Sequence, residues 1–417
     1  MIRLFINGLA ASAGGGLTYL RNVIPQLARR DDVHATVLLN PTLRREFEEN
    51  GNVSFVEMAG SDGAPQRLIR EQTALPALIR RSGAQVLIST GNFALWRSPV
   101  PQILLSRNSL YISDDFMRDL RARGDHAIWI DTLAKAWFAR QSIRRADITI
   151  APSAAFASEL ARWSGREVAA IHHGFDAAAF VGKDAPLLPE VRNRLDDGRD
   201  ALRLLFVSHY NYYRNFETLF RAMPFLNRRL KERGFKEKTV KLYLTCRLRA
   251  RENPGSYRTG AASAVLNEVR ASCEIVELGA IPYSSLHHLY RACHIYVTPA
   301  YAESFAHPLV EAMSSGLPVV ASDLEVHREI CGTAALYFPR FSPEELAERL
   351  FRIYESPELA RKMSCDGLRR AQDFSWETHV SRLLLLAEEC IGARAGCEPG
   401  SGGARLHADC DLSFREG

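Results

Sequence analysis

Short apolar segments alternate with segments of helical periodicity along the chain, in two successive series. The first contains RLFING, HATVLLN, AQVLIST, PQILLSRN and ADITIAPS, with the helical pattern LTYLRNVIPQLARR after RLFING. The second contains LRLLFVSH, TVKLYLTC, CEIVELG, HIYVTPA and PVVASD. Strands that are apolar on both faces and alternate with helices are typical of parallel sheets covered on both sides. The pattern therefore predicts two α/β units of similar size.

A segment rich in proline, glycine and charge separates the two series. Such a composition favours a linker rather than an element of a sheet. A chain of 417 residues also exceeds the size at which one hydrophobic core keeps growing. We therefore predict a first domain over residues 1–175, a linker over residues 176–200 and a second domain over residues 201–375.

The end of the chain divides into two parts. The segment FSWETHVSRLLLLAEECIGA has amphipathic helical spacing, and we predict a helix over residues 376–392. Glycine and polar residues dominate the remaining segment, so residues 393–417 are predicted to be a disordered tail. The Asp409-Cys410-Asp411 triplet in that tail lacks a scaffold, and we do not interpret it as a metal site.

The composition is that of an ordinary globular protein, with 47% hydrophobic and 24% charged residues. The net charge of +5 weakly favours anionic partners, such as a phosphate group or an acidic membrane surface. It is far below the balance of a nucleic-acid-binding protein. No secretory signal and no apolar span of about 18 residues is recognisable, so we expect a cytoplasmic protein that does not cross the membrane.

The eight cysteines all lie after residue 240, and none forms a C-x-x-C pair. The spacing supports neither a zinc site nor a redox motif. Several cysteines lie within apolar runs, where a reduced cysteine acts as a small hydrophobic residue. This usage fits a reducing compartment.

The stretch YVTPAYAESFAHPLVEAMSSGLPVVASD carries the strongest chemical signal. Pro308 suits the first turn of a helix and Gly316 suits its exit. Glu303 then lies in the loop beyond the carboxyl end of a strand, where open α/β sheets bind ligands. Amides from Phe305 to Leu309 lie at the helix N-terminus, which favours a phosphate, and Glu311 could accept hydrogen bonds from a sugar diol. Alternatively, both glutamates only complement the helix dipole.

Two further segments indicate a ligand cleft. Arg214 lies at a predicted helix start, where a cation opposes the helix dipole, so a functional role is favoured over a surface role. The loop ASAGGGLTYL allows close approach of a ligand to its backbone, although glycines alone are a weak signal. It does not fit G-x-G-x-x-G, which argues against a dinucleotide site. We predict that Gly15 and Gly16 line the cleft.

The segment ESFAHPLVEAMSSGLPVVAS resembles the E-x7-E signature of retaining glycosyltransferases of the GT-B fold, the family-four group that uses nucleotide sugars. That family commonly shows E-G-F-G-x-P-x-x-E-A-M-A-x-G-x-P-V-V. Ser304 and Ala306 replace its two glycines here, and the alanine narrows the space for backbone approach to the sugar. The segments ADITIAPS and HHGFD also resemble the family pattern. The resemblance implies two Rossmann-like domains that face a cleft.

The resemblance also implies roles for the donor-side residues. Arg214-Asn215 falls on the family's lysine position, and Arg214 would stabilise the departing diphosphate. His209 falls on an arginine position and keeps the charge only if it is protonated. Glu303 would contact the sugar near the anomeric carbon and Glu311 the ribose diol. Backbone groups of the segment Ser304, Phe305, Ala306 and Leu309 would contact the donor.

The acceptor side is expected in the first domain. The family often carries a histidine after the fourth strand, where this chain has Arg107 and Asn108. The resemblance implies that sugar orientation comes from Asn108 or a backbone group if the histidine contact is absent. His172 and His173 could be proposed as a base, but hinge or core positions are favoured for them.

The resulting prediction is a glycosyltransferase that moves a sugar from a GDP- or UDP-sugar to an acceptor hydroxyl with retention, without a metal or another cofactor. The resemblance implies a glycan or lipid-linked acceptor in cell-surface polysaccharide or glycolipid assembly. A nucleotide-sugar epimerase on the same fold and a degenerate nucleotide-sugar-binding regulator remain alternatives. The arginine- and tryptophan-containing segment 117–145 either contacts an anionic membrane surface or forms a solvated helix face.

Overall fold

The computed structural model describes residues 1–11, 15–49, 51–59, 64–182, 185–197, 200–235, 239–249, 252–253, 257–270 and 273–395. The strands of this part of the chain form two sheets, and every strand pair in both sheets is parallel. The first sheet contains β1 (Ile2–Asn7), β2 (Val33–Leu39), β3 (Val53–Glu57), β4 (Val86–Ser89), β5 (Gln102–Leu105), β6 (Ile148–Ala151) and β7 (Ala169–Ala170). The second contains β8 (Leu202–Phe206), β9 (Val240–Leu244), β10 (Glu274–Glu277), β11 (Ile295–Thr298), β12 (Val319–Ser322) and β13 (Ala335–Phe338).

The strand orders are β3-β2-β1-β4-β5-β6-β7 and β10-β9-β8-β11-β12-β13. The first strand of each series therefore lies inside its sheet, and the order reverses beside it. Ligands bind at such a switch point, outside the carboxyl ends of the strands. The predicted α/β class with two Rossmann-like sheets is confirmed.

The helices of the first domain and of the segment after it cover the sheets and connect their strands. They are α1 (Gly15–Ala28), α2 (Pro41–Arg44), α3 (Ala64–Ser82), α4 (Asp114–Ala122), α5 (His126–Arg145), α6 (Ala154–Ser164), α7 (Ala177–Gly182) and α8 (Pro189–Asp196). The segment predicted as a linker thus contains two short helices. Phe180 of α7 and Val191 of α8 are buried in the apolar cluster beneath the second sheet, which explains their ordered conformation.

The later helices surround the second sheet and then return to the first. They are α9 (Phe216–Glu232), α10 (Gly260–Val269), α11 (Tyr283–Ala292), α12 (His307–Ser314), α13 (Glu325–Cys331), α14 (Pro343–Glu355), α15 (Pro357–Ala371) and α16 (Trp376–Ala395). Helix α16 buries Trp376, Val380 and Leu383 in the core of the first domain, against α1. The predicted tail overlaps α16 as far as residue 395, and residues 396–417 lie outside the described residues.

Helix α4 joins the two domains on one side of the cleft. It belongs to the first domain in sequence, yet Phe116 and Leu120 are buried in the apolar core of the second domain. Asp115 accepts a hydrogen bond from the Arg340 Nε atom of the second domain at 2.7 Å. Separation of the domains at this point would expose two large apolar side chains to water.

A second interdomain contact joins α13 to the N-terminus of α6. Both Glu329 carboxylate oxygens of α13 accept hydrogen bonds from the first amides of α6, those of Ala154 and Ala155, at 2.7 Å. The Glu329 carboxylate also contacts His172 Nε2 at 2.5 Å. A carboxylate from the second domain thus caps a helix of the first, and it complements the positive end of that helix.

Candidate active site

A cavity of about 1030 Å³ lies between the carboxyl edges of the two sheets. All the residues predicted from the sequence line it except Asn215 and Leu309. The lining members of the predicted set are Gly15, Gly16, Arg107, Asn108, His209, Arg214, Glu303, Ser304, Phe305, Ala306 and Glu311. The fold therefore brings both halves of the predicted site to one cleft.

Arg214 and Glu303 form an ion pair on the second-domain side of the cavity. Arg214 ends a 3₁₀ turn at Tyr212–Arg214, and its Nη1 atom donates to the Glu303 carboxylate from the loop after β11. Only 15% of the Arg214 side chain and 9% of the Glu303 side chain are exposed. The guanidinium carbon also lies 4.6 Å from the centre of the Tyr213 ring. This contact fixes the cation beside the cavity.

Burial acts in opposite directions on the pKa values of the two members of the pair. Burial lowers the pKa of Arg214, but Glu303, Tyr213 and Tyr296 together raise it by more, so the net direction is upward. Burial raises the pKa of Glu303, and Arg214 opposes this shift. The Arg214 Nε atom is buried without a partner among the described residues. The site thus holds a protonated guanidinium, one N–H group of which has no acceptor among the described residues.

The loop before α12 presents backbone amides at a helix N-terminus. Ala306 adopts the left-handed conformation, with φ 64° and ψ 66°, at the position before the first helical residue. A non-glycine residue in this conformation costs about 1–2 kcal/mol. The amides of Phe305, Ala306 and His307 in this turn donate no hydrogen bond to an acceptor within the described part of the chain.

The predicted phosphate-binding stretch is shorter in the structure than the sequence pattern suggests. Pro308 has no N–H group, and the Leu309 amide donates to the Ala306 carbonyl at 3.0 Å. The Leu309 side chain is fully buried and lies outside the cavity lining. The Leu309 amide is therefore already paired within the protein.

Glu311 is held by a partner that the sequence pattern does not indicate. The Tyr290 hydroxyl of α11 donates to Glu311 Oε2 at 2.8 Å, and both side chains are buried. Burial raises the pKa of Glu311 to about 7, and the hydrogen bond from Tyr290 partly opposes this shift. Glu311 is also half of the sequence signature, so its position facing the cavity agrees with a ligand-binding carboxylate. The apolar periodicity of α11 places Tyr290 in the core but does not indicate its hydroxyl partner.

His209 does not supply the positive charge of the arginine it replaces. The ring is exposed to the cleft. Desolvation by surrounding protein atoms, together with the charge of Arg214, lowers the pKa of His209 to about 4. The imidazole is therefore neutral at pH 7 in the ligand-free protein.

The Asn215 side chain forms hydrogen bonds with backbone groups and does not line the cavity. It adopts a left-handed conformation, with φ 54°, directly before α9. Its side-chain amide donates to the carbonyl oxygens of Pro299 at 3.1 Å and Arg340 at 2.6 Å. This anchoring holds the Asn215 side chain on backbone carbonyl groups, and Asn215 lies outside the cavity lining.

The first-domain wall is organised by Arg107. Its guanidinium donates to the Gly15 carbonyl at 2.8 Å and to the Thr90 carbonyl at 2.6 Å. A β-carbon at Gly16 would lie 3.2 Å from Arg107 Nη2, so glycine permits this close approach. The Asn108 side chain accepts from the Leu110 amide at 3.1 Å and caps a short 3₁₀ turn. Arg107 therefore fixes the glycine loop against the cleft.

Several buried rings join the two domains behind the cavity, and only part of this cluster is predictable from the sequence. The His173 ring stacks on Trp376 with centroids 5.6 Å apart, and it lies 5.2 Å from the His307 ring. Burial lowers the pKa of His173 and brings that of His307 to about 4. The preference for a core position of His173 agrees with this packing. No sequence pattern singles out His307 and Trp376, because their proximity depends on the return of α16.

Within the described part of the chain, no group of three or more His, Cys, Asp or Glu side chains is arranged to hold a metal ion. None of the described helices has the length and apolar character needed to cross a membrane.

Two family models match the chain, one in each domain. Residues 13–179 match the model described as Glycosyltransferase Family 4, and residues 267–369 match the model described as Glycosyl transferases group 1. The second match includes the loop after β11, α12 and both signature glutamates.

Curated relatives share partial similarity with the chain. The O-antigen chain mannosyltransferase B of Escherichia coli is 32% identical over 26% of this chain and 28% of the relative. The MMP alpha-(1->4)-mannosyltransferase of Mycolicibacterium hassiacum is 36% identical over 24% of this chain and 25% of the relative. The D-inositol 3-phosphate glycosyltransferase of Thermobifida fusca is 27% identical over 59% of this chain and 56% of the relative. The chain thus covers less than two thirds of each.

Solved structures share the whole fold at low sequence identity. A sucrose-phosphate synthase from Thermosynechococcus elongatus superposes with a TM-score of 0.71 at 18% identity, covering 94% of this chain and all of that chain. The Anabaena HepE protein in complex with UDP-glucose superposes with a TM-score of 0.66 at 16% identity, covering 93% of this chain and all of that chain. These similarities establish the GT-B arrangement of two Rossmann-like domains.

Proposed function

From the premise that the two matched models support membership of the glycosyltransferase group 1 family, we propose that the protein moves a sugar from a nucleoside diphosphate sugar to an acceptor hydroxyl with retention of configuration. The ion-paired Arg214 beside the unpartnered amides before α12 carries this proposal. Sugar nucleotides are also named in solved complexes of a structural neighbour, which contain UDP or UDP-glucose.

The donor diphosphate is assigned to the amides of Phe305, Ala306 and His307 and to the guanidinium of Arg214. Unpartnered amides at a helix N-terminus bind phosphate oxygens, and an arginine adds a charge-assisted contact. The leaving group is a nucleoside diphosphate, whose negative charge grows as the glycosidic bond breaks. Donors aimed at that position stabilise the transition state more than the ground state.

We assign the two glutamates to contacts with different parts of the donor. Glu311 accepts hydrogen bonds from the ribose diol once it is ionised, and Tyr290 fixes the orientation of its carboxylate. Glu303 lies nearer the Arg214 cation and contacts the sugar close to the anomeric carbon. When the donor binds, contacts to the ligand thus replace part of the Arg214–Glu303 ion pair. The Arg214 guanidinium then contacts the diphosphate, and Glu303 contacts the sugar.

Retention results from attack on the face that the diphosphate leaves. The acceptor oxygen forms a bond to the anomeric carbon as the bond to the phosphate oxygen breaks, and that phosphate oxygen takes the acceptor's proton. This route needs no enzyme nucleophile. The neutral His209 leaves Arg214 as the main cationic side chain for the leaving group on the second-domain wall.

The acceptor is proposed to be a glycan or a lipid-linked sugar, used at the cytoplasmic membrane face. Three apolar side chains on one face of α5, Ile130, Leu133 and Trp137, are 60%, 43% and 54% exposed. Arg144 and Arg145 lie in the last turn of the same helix. Apolar and basic residues together favour peripheral contact with an anionic lipid surface.

A thermal-shift screen of GDP- and UDP-sugars identifies the donor, because a ligand that binds only the folded state raises its melting temperature. Release of nucleoside diphosphate is then measured with candidate acceptors. Arg214→Ala and Glu311→Ala should each reduce turnover at least about tenfold, the loss of one strong polar contact. Arg221→Ala, an exposed arginine of α9 with the same charge change, is the matched control.

The same assay separates the alternatives. Appearance of an epimerised nucleotide sugar without acceptor would support an epimerase. Tight donor binding without any turnover would support a regulator. Unchanged rates in both site variants would remove this site from the account.

A further inference from the structure

The first-domain wall of the cavity carries cations and no carboxylates. Arg21, Arg67, Arg107 and Lys135 line it, whereas no lining residue among the described residues of 1–175 is Asp or Glu. The remaining described lining residues have the opposite balance, with Asp176, Glu303 and Glu311 against one arginine, Arg214. The cleft is therefore polarised across its width, which favours an anion against the first domain.

Two of these cations are neutralised by nearby carboxylates. Arg21 forms a bidentate pair with Glu46, with both distances at 2.7 Å. Lys135 pairs with Asp131 at 2.6 Å. The other two cations, Arg67 and Arg107, have no hydrogen-bonded carboxylate partner among the described residues.

Arg107 is a desolvated cation without a carboxylate partner among the described residues. Its two terminal nitrogens donate to backbone carbonyls, and its Nε atom is buried without a partner in the described part of the chain. Burial lowers the pKa of Arg107 to about 10, so it remains charged at pH 7. A buried charge without a counter-ion is costly unless a ligand supplies the opposite charge.

Arg67 of α3 likewise has no hydrogen-bonded carboxylate partner among the described residues. Its Nε atom lies 3.9 Å from Glu71 Oε1, beyond hydrogen-bond distance, and both atoms are buried without partners among the described residues. Burial raises the pKa of Glu71, and the charge of Arg67 opposes this shift. The Arg67 guanidinium can therefore contact a ligand without breaking a strong internal pair.

We propose that this wall binds an anionic group of the acceptor, a phosphate monoester or diester, through Arg67 and Arg107, separately from the donor diphosphate on Arg214. The inference rests on the proposed function, because it assigns the first domain to the acceptor. Helix α1 adds to the positive potential, since its N-terminus at Gly15 faces the cavity and its first turn contains no acidic residue. The phosphate belongs either to a soluble sugar phosphate or to a lipid headgroup.

The test titrates inorganic phosphate into the full chain already saturated with UDP or GDP, by calorimetry at constant ionic strength. Saturation with the nucleotide fills the donor subsite, so additional phosphate reports on the first-domain wall. Arg67→Gln should weaken phosphate binding at least about tenfold, the loss of one charge-assisted contact. Arg70→Gln, one turn further along α3, removes an exposed arginine whose guanidinium donates to the Ala59 carbonyl at 3.0 Å, and it should leave binding unchanged.

Two further titrations identify the source of the phosphate. Glucose 6-phosphate represents a soluble acceptor, and phosphatidylglycerol vesicles represent a lipid headgroup. Arg67-dependent binding of either supports the inference. Absence of phosphate binding to the nucleotide-saturated protein, or equal binding by Arg67→Gln, overturns it and leaves the proposed function intact. Failure to bind any nucleoside diphosphate would instead contradict the proposed function.

Discussion

The buried carboxyl group of Glu311 should make the second domain less stable as the pH rises from about 4.5 to 7. The ordinary pKa of 4.5 applies to the unfolded chain, and burial raises the value to about 7 in the folded protein. In this interval the folded state retains a proton that the unfolded state has lost. Stability therefore falls with rising pH and becomes constant above about 7.

The magnitude is set by the two pKa values. Each pH unit between them corresponds to about 1.4 kcal/mol, so ionisation of Glu311 costs about 3 kcal/mol of unfolding free energy at pH 8. Glu311→Gln keeps the shape and can still accept the Tyr290 hydrogen bond, but it cannot ionise. The variant should match the wild type near pH 4.5 and exceed it by roughly that amount at pH 8.

Chemical denaturation at a series of pH values measures this difference. Glu268→Gln, which changes an exposed carboxylate of α10 in the same domain, is the control and should show no comparable pH dependence relative to the wild type. Tyr290→Phe removes the hydrogen bond that lowers the Glu311 pKa, so the pH-dependent loss of stability in this variant should begin at the same pH and continue to a pH above 7. A constant difference between wild type and Glu311→Gln from pH 4.5 to 8 would refute the assignment of a desolvated carboxyl group.

Three other perturbations test separate parts of the structure. Ala306→Gly should raise the unfolding free energy by up to about 1 kcal/mol, because glycine tolerates the left-handed conformation; a loss of stability on denaturation would contradict this. His209→Arg should tighten nucleoside diphosphate binding at least about threefold by placing a permanent cation beside Arg214, and calorimetry should detect it. Phe116→Ala should destabilise the protein by about 3–5 kcal/mol, since this side chain of α4 fills the core of the other domain; a change below about 1 kcal/mol would show that α4 is not docked there.

The sequence was sufficient for the α/β class because the central strands are apolar on both faces. It did not reveal Val53–Glu57 or Ala335–Phe338, which lie at sheet edges, or the two-residue strand Ala169–Ala170. Edge strands have one unpaired side and a partly exposed surface, which weakens the apolar pattern. The Val53–Glu57 strand, for example, buries only its first residue fully.

The candidate site was partly readable because its main motif is local. Glu303 lies in the loop after β11 and Glu311 in the helix that follows. Their spacing alone therefore predicts that both lie at the carboxyl edge of the second sheet. The Arg214–Glu303 pair joins residues 89 apart, and no local pattern reports it. The sequence also does not reveal that Asn215 has a positive φ and that its side-chain amide donates to the Pro299 carbonyl, since these two residues are 84 positions apart.

The central proposal is that a leaving diphosphate is held by Arg214 and the amides before α12, without a metal ion. A crystal structure with the bound nucleoside diphosphate sugar tests it most directly. We predict phosphate oxygens within hydrogen-bond distance of the Arg214 guanidinium and of the amides of Phe305, Ala306 and His307. A diphosphate bound elsewhere, or bridged to the protein through a metal ion, would contradict the account.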